Sequence, residues 1–413
     1  MSTTEKTEGP EERGIRRLKH ADNLNLTPAD ISQQLGKWVI GQDEAVRAVS
    51  VALYQHLVTR VRRVARGMMT MFPVRIPPIL LMGPTGCGKS QLLRAAARIT
   101  GLPAYLADAS SLTAEGYVGS SVSEWIRALI SMSEGYLPLA ECGLLLVDEC
   151  DKKASKASYF RDVAGSDAQD GLLRLLDSGH IGVEVIDNVN GLGQRKHLPV
   201  RVDHMLVWAA GAFSGNGGSI EEIVARRIHT RRRLGFGATG ATADGMSPAE
   251  LRRRVIPSDL ITYGLKPELV ARLQRIVVMS DLSADAMRTI LCDVPDGPVP
   301  MVQGIARSLG FRFEFANTLV DEIVRRATAS GLGARALSGL VAKATEAAWM
   351  GIPERLKDKK AHPWGKTVVT LRRDSLDSGW FGMRVEERKG KAAPSPAAGA
   401  VVVESGESNA AVG

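Results

Sequence analysis

The chain is expected to form an α/β fold, a doubly wound parallel sheet followed by a smaller, mainly helical α+β domain. Three features predict it. Ile79-Leu80-Leu81-Met82 is a short apolar run of the kind a strand buried on both faces needs. Gly83-Pro84-Thr85-Gly86-Cys87-Gly88-Lys89-Ser90 follows with the spacing G-x-x-x-x-G-K-[ST]. Leu144-Leu145-Leu146-Val147-Asp148-Glu149 is a second apolar run, and it ends in two acids. Strands that alternate with helical stretches pair in parallel, because each crossover returns the chain to the same edge of the sheet.

In chain order, residues 1–26 are polar and Glu-rich and read as a flexible N-terminal arm. They contain no apolar signal core, and their acids argue against a transit peptide. Thr27-Pro28-Ala29-Asp30 starts a helix, with Thr as cap, Pro in the first turn and an acid at the third position. Val39-Ile40-Gly41-Gln42 is a turn into a helix over about Asp43–Arg66, and residues 68–78 form a linker. Strands are expected at 79–82, 104–107, 143–147 and 204–210, with a helix over Lys89–Ile99. The large domain is assigned to 27–278 and the small one to 279–387. In the latter, Phe311-Arg312-Phe313-Glu314-Phe315 alternates like a strand. The helix after Asn317 places Leu319, Ile323, Val324 and Ala327 on one face. Gly331 to Arg335 is a turn opening a further helix, and Lys366–Leu371 is a last strand. Residues 388–413 are Ala-, Gly-, Pro- and Ser-rich and read as a disordered tail.

The glycine-rich stretch carries the chemistry. Gly83, Gly86 and Gly88 permit a tight turn, with Pro84, Thr85 and Cys87 between them, so that backbone N–H groups face phosphate oxygens. The helix from Lys89, with Gln91 in its first turn, presents its positive dipole end to the same anion. Lys89 would reach the β- and γ-phosphates, and Ser90 would place its hydroxyl on Mg²⁺. Asp148 would hold the metal through its water shell, and Glu149 would polarise the attacking water. The pattern implies binding and hydrolysis of a nucleoside triphosphate.

Composition sets the limits. The 413 residues suffice for two or three domains, and 44% hydrophobic content is ordinary for a soluble globular protein. No apolar run approaches the roughly 18 residues of a membrane helix, so a cytoplasmic protein without membrane contact is expected. Cys87, Cys142, Cys150 and Cys292 form no C-x-x-C pair, so neither zinc nor a disulfide framework is expected. Cys87 reads as an inert small residue of the turn or as a reactive thiol. Net charge is +8, with clusters at Arg226, Arg227, Arg231, Arg232 and Arg233 and at Arg252, Arg253 and Arg254. They read as a solvated or partner-facing loop, or as a surface for nucleic acid.

Further residues bring a resemblance into view. Val39-Ile40-Gly41-Gln42 is similar to the adenine-contacting segment of the AAA+ protein unfoldases, specifically the ClpX family. Glu115-Gly116-Tyr117-Val118-Gly119 looks like their first pore loop, and Arg161-Asp162-Val163 like the second. Arg195-Lys196-His197 matches the charged entrance loop of ClpX that its relative HslU lacks. Leu234-Gly235-Phe236 matches the loop that docks on the ClpP peptidase. Pro267 to Arg272 resembles the arginine-finger segment, and Gly333-Ala334-Arg335 the sensor-2 turn. The likeness runs from about Leu26 to Leu371.

The resemblance implies a P-loop AAA+ large domain with an AAA+ lid domain, ATP and Mg²⁺, and a homohexamer. In it Arg272 would act on a neighbour's γ-phosphate, an effect on the order of 10³-fold or more where it has been measured in GTPases. Arg335 would act in cis. It implies a protein unfoldase and translocase that threads unfolded or tagged proteins through a pore and passes them to a ClpP-type peptidase. Tyr117, an aromatic between glycines, suits steric contact with any passing side chain. Leu234 and Phe236, apolar among arginines and glycines, suit a partner's cleft. Arg195, Lys196 and His197 suit a terminal carboxylate. The sequence departs from the patterns of these proteins in four places. Only 26 residues precede the likeness and none is a cysteine, so the zinc-binding domain usual in ClpX proteins is not expected here. Ser338 stands near the place of the second basic residue of sensor 2, Ala209-Ala210-Gly211 lacks the polar sensor-1 residue common in AAA+ proteins, as ClpX-like proteins often do, and the loop before Leu234 is unusually Arg-rich. Two rival functions are a remodelling chaperone that meets no protease and a P-loop motor on DNA.

Overall fold

A computed structural model describes residues 9–68, 76–112, 121–154, 163–189, 192–215, 218–233, 245–355, 367–377 and 383–387. The chain divides into two compact units. The first takes in Met1–Pro84 and Gly88–Ser280, the second Asp281–Gly413 with Thr85–Cys87.

The first unit opens with α1 (Pro10–Asn23), α2 (Pro28–Gly36), α3 (Asp43–His56) and α4 (Arg62–Ala65), the last two joined through a π turn at Leu57–Val61. Then come β1 (Ile79–Met82), α5 (Lys89–Thr100), β2 (Ala104–Asp108), α6 (Val122–Met132), α7 (Leu137–Glu141), β3 (Leu144–Asp148) and α8 (Val163–Asp177). A hairpin of β4 (His180–Val189) and β5 (Leu192–Arg201) leads to β6 (Leu206–Gly211), the short pair β7 (Ser214–Gly215) and β8 (Gly218–Ser219), and α9 (Ile220–Arg233). The unit closes with α10 (Pro248–Arg252), α11 (Pro257–Tyr263), α12 (Pro267–Arg272) and β9 (Arg275–Val278).

Five strands form one sheet in the order β2-β3-β6-β1-β9, and every pair in it is parallel. β1 and β6 are buried at every position, as their unbroken apolar runs require. Trp125, Trp208 and Phe213 are the largest side chains wholly inside this unit. The helix at Thr27 starts on a reciprocal cap: the Thr27 hydroxyl accepts the Asp30 N–H (3.2 Å), and the Asp30 carboxylate accepts the Thr27 N–H (2.9 Å).

Of the arm expected over 1–26, Pro10–Asn23 is instead a helix packed within the first unit, and residues 1–8 lie outside the described residues. A helix of fourteen mostly polar residues would be marginal in isolation. What holds α1 is tertiary contact. Leu18 and Ala21 are buried, worth about 2 kcal/mol for the leucine alone. The Arg17 guanidinium donates to the carbonyls of Gly101 (3.0 Å) and Met132 (3.0 Å), and Asp22 pairs with Arg62 (2.9 Å) and Arg66 (3.1 Å). Gly14 lies so close to Tyr136 that a Cβ there would meet its ring at 2.4 Å.

The second unit contains α13 (Ala284–Cys292), α14 (Pro298–Ser308), β10 (Phe311–Phe315), α15 (Asn317–Ala329), α16 (Arg335–Arg355), β11 (Thr367–Leu371) and β12 (Met383–Glu387). β10 pairs parallel with β11, and β11 antiparallel with β12. Phe311, Phe313 and Phe315 alternate inward, and the first two meet Trp349 edge to face at 5.5 and 5.1 Å. Leu319, Ile323, Leu337 and Val341 complete that core.

One core group has a consequence in solution. His56, fully buried in α3, donates from Nε2 to the Cys142 carbonyl (2.8 Å), just ahead of β3. Burial pulls its pKa down to about 4, from about 6.5 for an exposed imidazole. The unfolded imidazole therefore takes up a proton below about 6.5, and the folded one resists until about 4. This stabilisation is complete above pH 6.5 and is lost as pH falls towards 4, about 3 kcal/mol at its limit. Thermal unfolding measured from pH 7.5 to 4 should show the fall, and His56→Gln should flatten it. An unchanged slope in that variant would place the acid sensitivity elsewhere.

Candidate active site

β1 ends in the glycine turn, and α5 begins at Lys89. Gly86 (φ +79°) and Gly88 (φ +107°) occupy backbone regions that L side chains avoid, so the turn needs glycine at both. The Gly83 N–H is tied to the Gly211 carbonyl at the end of β6 (3.1 Å). The buried Lys89 ammonium donates to the carbonyls of Gly83 (2.7 Å) and Pro84 (2.8 Å), which keeps a cation inside the curve of the turn.

The acid pair meets this turn. The Ser90 hydroxyl donates to Asp148 Oδ2 at 3.1 Å, so a residue from the first turn of α5 touches the end of β3. A hydroxyl beside a carboxylate is a donor set suited to a hard divalent cation bound with phosphate oxygens. Among the described residues no group of three His, Cys, Asp or Glu side chains could hold a metal ion. Glu149 is exposed and adopts φ +56°, uncommon for a residue with a Cβ. Its N–H donates to Asp148 Oδ1 (2.9 Å), so the strand stops abruptly and the Glu149 carboxylate leaves the sheet. A 3-10 turn, Cys150–Lys153, follows. Within it the buried Asp151 accepts the Phe213 N–H (3.0 Å), fixing the chain beyond β6.

Val39 is buried and Ile40 half-buried. If Gly88 had a Cβ, Val39 Cγ1 and Met279 Cε would lie 3.7 and 3.9 Å from it, so the Val39–Ile40 segment borders the phosphate turn. Gln42 anchors it: its amide donates to the Ser280 carbonyl (2.9 Å), and its carbonyl accepts the Ser280 N–H (3.0 Å). Sequence reading named Gln42 within its turn but not its bridge to Ser280, and it passed over Asp151 and Gln169, because the partners are not sequence neighbours.

The remaining site residues fall elsewhere. Arg272 ends α12 and pairs with Asp177 of α8 (2.6 Å). Arg335 is exposed at the first position of α16, after Gly331 (φ +68°) and Gly333 (φ +59°). Tyr117, Val118, Arg161, Leu234, Gly235 and Phe236 lie outside the described residues. Arg195, Lys196 and His197 are not in a loop, as expected, but in β5. Glu184 of β4 stands directly opposite His197 (3.0 Å) and also reaches Arg195 (3.8 Å). The apolar alternation of Ile181, Val183 and Val185 with Asn190-Gly191 after it was the available hairpin signal. Three of the clustered arginines have acid partners, Arg226 with Glu222 (3.7 Å), Arg227 with Asp259 (2.7 Å) and Arg252 with Glu221, and the side chains of Arg231, Arg232 and Arg233 lie outside those described.

Comparison with known proteins agrees with this geometry. Residues 75–276 match the family model for the AAA domain (Cdc48 subfamily). The chain is 32% identical over 341 residues to the ATP-dependent Clp protease ATP-binding subunit ClpX of Porphyromonas gingivalis, covering 79% of each. Similarity to the proteins of that name from Bacteroides thetaiotaomicron (32% over 338 residues, 79% of this chain and 78% of the relative) and Bacteroides fragilis (32% over 333 residues, 78% and 77%) has the same extent.

The Gln42 bridge is directly testable. Gln42→Leu removes both hydrogen bonds and leaves the Ser280 N–H and carbonyl unanswered, a cost of about 2 kcal/mol or more. Urea unfolding should report a loss of that size. An unchanged midpoint would show that the bridge contributes nothing.

Proposed function

The chain belongs to the ClpX family, its AAA domain makes it an ATP hydrolase, and we propose that it is an ATP-driven protein unfoldase and translocase. The observation that carries the ATPase chemistry is the Ser90–Asp148 contact beside a glycine turn that already encloses the Lys89 ammonium. In the proposal, the turn's N–H groups and Lys89 bind the phosphates, and Val39 and Ile40 contact the base. Ser90 and Asp148 hold Mg²⁺, which when bound neutralises phosphate charge. Glu149, turned out of the strand by its φ of +56°, orients and polarises the attacking water. Arg272 would complete a neighbour's site, which requires a ring, taken as a hexamer. Arg335 would report nucleotide state from the small domain, assigned to 279–387.

Tyr117 and Val118, with Arg161, are proposed to grip a polypeptide in the pore. Arg195, Lys196 and His197 are proposed to meet entering chains, and Leu234, Gly235 and Phe236 to dock a ClpP-type peptidase. A cytoplasmic setting is part of the proposal, supported by four cysteines that are all free thiols. No helix of the described residues is long and apolar enough to cross a membrane. Weighing against the DNA-motor rival, Glu221, Glu222 and Asp259 pair with three of the eight clustered arginines.

The deciding experiment is ATP-dependent loss of fluorescence from a tagged, stably folded fluorescent protein, with and without a ClpP-type peptidase. Degradation is expected only with the peptidase and ATP. Glu149→Gln should keep nucleotide binding and lose hydrolysis about 100-fold or more. Phe236→Ala should lose proteolysis and keep ATPase activity. Proteolysis unaffected by Phe236→Ala would remove the docking assignment, and ATP turnover stimulated by DNA in a salt-dependent way would replace the unfoldase reading.

A further inference from the structure

Three stretches far apart in the chain meet at one buried carboxamide. Gln169, in α8, is wholly buried. Its Nε2 donates to the carbonyls of Lys153 (2.8 Å) and Gly264 (3.2 Å), and its Oε1 accepts the Lys266 N–H (2.7 Å). Lys153 closes the 3-10 turn that starts one residue after Glu149. Gly264 and Lys266 lie in the bend that opens α12, and α12 ends at Arg272. Both the donor and the acceptor end of the amide are used. A carboxylate, which cannot donate, or a shorter amide cannot reproduce the set.

The seam continues along α8. Asp170 pairs with the Lys266 ammonium (2.6 Å), and Asp177 with Arg272 (2.6 Å). Alongside the polar seam, Leu172 and Leu175 pack with Leu265, Leu269 and Leu273. They surround an apolar cavity of about 20 Å³ that Cys150 also lines. The lining is apolar throughout, so the packing under α12 is incomplete there. In a close-packed interior, such a void is where an element can shift without forcing its neighbours off their rotamers.

We propose that Gln169 is a positioning residue that ties the placement of Arg272 to the segment that follows Glu149. Movement of that segment would be passed through the carboxamide to the bend before α12, and so to the arginine. The link would make hydrolysis at one subunit's own site bear on the arginine it offers elsewhere. This inference rests on the reading of Arg272 as the arginine finger. It adds a residue to the machinery that touches neither nucleotide nor metal.

A double-mutant cycle on the full chain tests it, reading steady-state ATPase kcat and KM and the affinity for a fluorescent ATP analogue. Gln169→Asn should lower kcat about tenfold or more with analogue affinity within twofold of wild type. Added to Arg272→Ala, it should lower kcat no further, because the two act through one element. Asp170→Asn, at a half-exposed position that cannot unfold the core, should lower kcat about two- to threefold and likewise add nothing to Arg272→Ala. Effects that multiply with Arg272→Ala, an unchanged kcat in both variants, or a loss of analogue affinity matching the loss of kcat would overturn the inference and leave the arginine finger standing. An Arg272→Ala variant with wild-type kcat would remove the arginine-finger reading itself, and this inference with it.

Discussion

The constraint on which this molecule depends is that a parallel sheet brings the carboxyl ends of all its strands to one edge. β1 ends there in the glycine turn, β3 in Asp148, and β6 in Gly211. β6 stands between β1 and β3, so the phosphate turn and the acid pair are not sheet neighbours. They are joined because α5 starts from the turn and brings Ser90 to within 3.1 Å of Asp148. The Lys89 charge can be buried because two carbonyls of the turn answer it, where an unanswered ammonium would be expelled or deprotonated. The edge is thus closed by backbone groups first, and the side chains that do chemistry are added to a frame that is already fixed.

What could be read in the sequence follows from the range of the interactions involved. The core strands were legible because burial on both faces leaves only apolar residues, and the glycine turn because φ values near +80 to +107° exclude most other residues. The helix α1 was hidden, since only Leu18, Ala21 and a close-packed Gly14 face inward and the charged residues around them read as solvated chain. Its stability comes from contacts with residues 40 or more positions away, such as Asp22 with Arg62 and Arg17 with Gly101. The bridge from Gln42 to Ser280 spans 238 positions and has no local signature at all. Glu149's left-handed backbone was equally invisible, because the same Asp-Glu pair could end a strand with ordinary angles.

The hairpin changes how the basic triplet must be understood. In a loop, Arg195, Lys196 and His197 could all face one way. In a strand, alternate residues face opposite sides, so Lys196 is separated from the other two. Glu184 then sits opposite His197 and near Arg195, and an acid at that distance offsets much of their charge in water. A receptor for carboxylates built on this strand is weaker than the three residue names imply, and its geometry is more exact.

The end of β6 shows how a missing side chain can be a structural requirement rather than a loss. Ala209-Ala210-Gly211 carries no polar group where many AAA+ proteins place one. A Cβ on Gly211 would meet Asp151 Oδ1 and the Phe213 ring, each at 2.7 Å, so this position has no room for a larger residue. The carboxylate that fills the space belongs to the turn after Glu149. It accepts the Phe213 N–H, and Phe213 stacks edge to face on Tyr263 (5.2 Å) one residue before Gly264. The polar link between the acid pair and the end of β6 is therefore present, but it runs from β3 towards β6 instead of from β6 towards the nucleotide. Two contacts lead from the turn after Glu149 towards the bend before α12, one polar through Gln169 and one aromatic through Phe213. Both leave from the same four-residue turn.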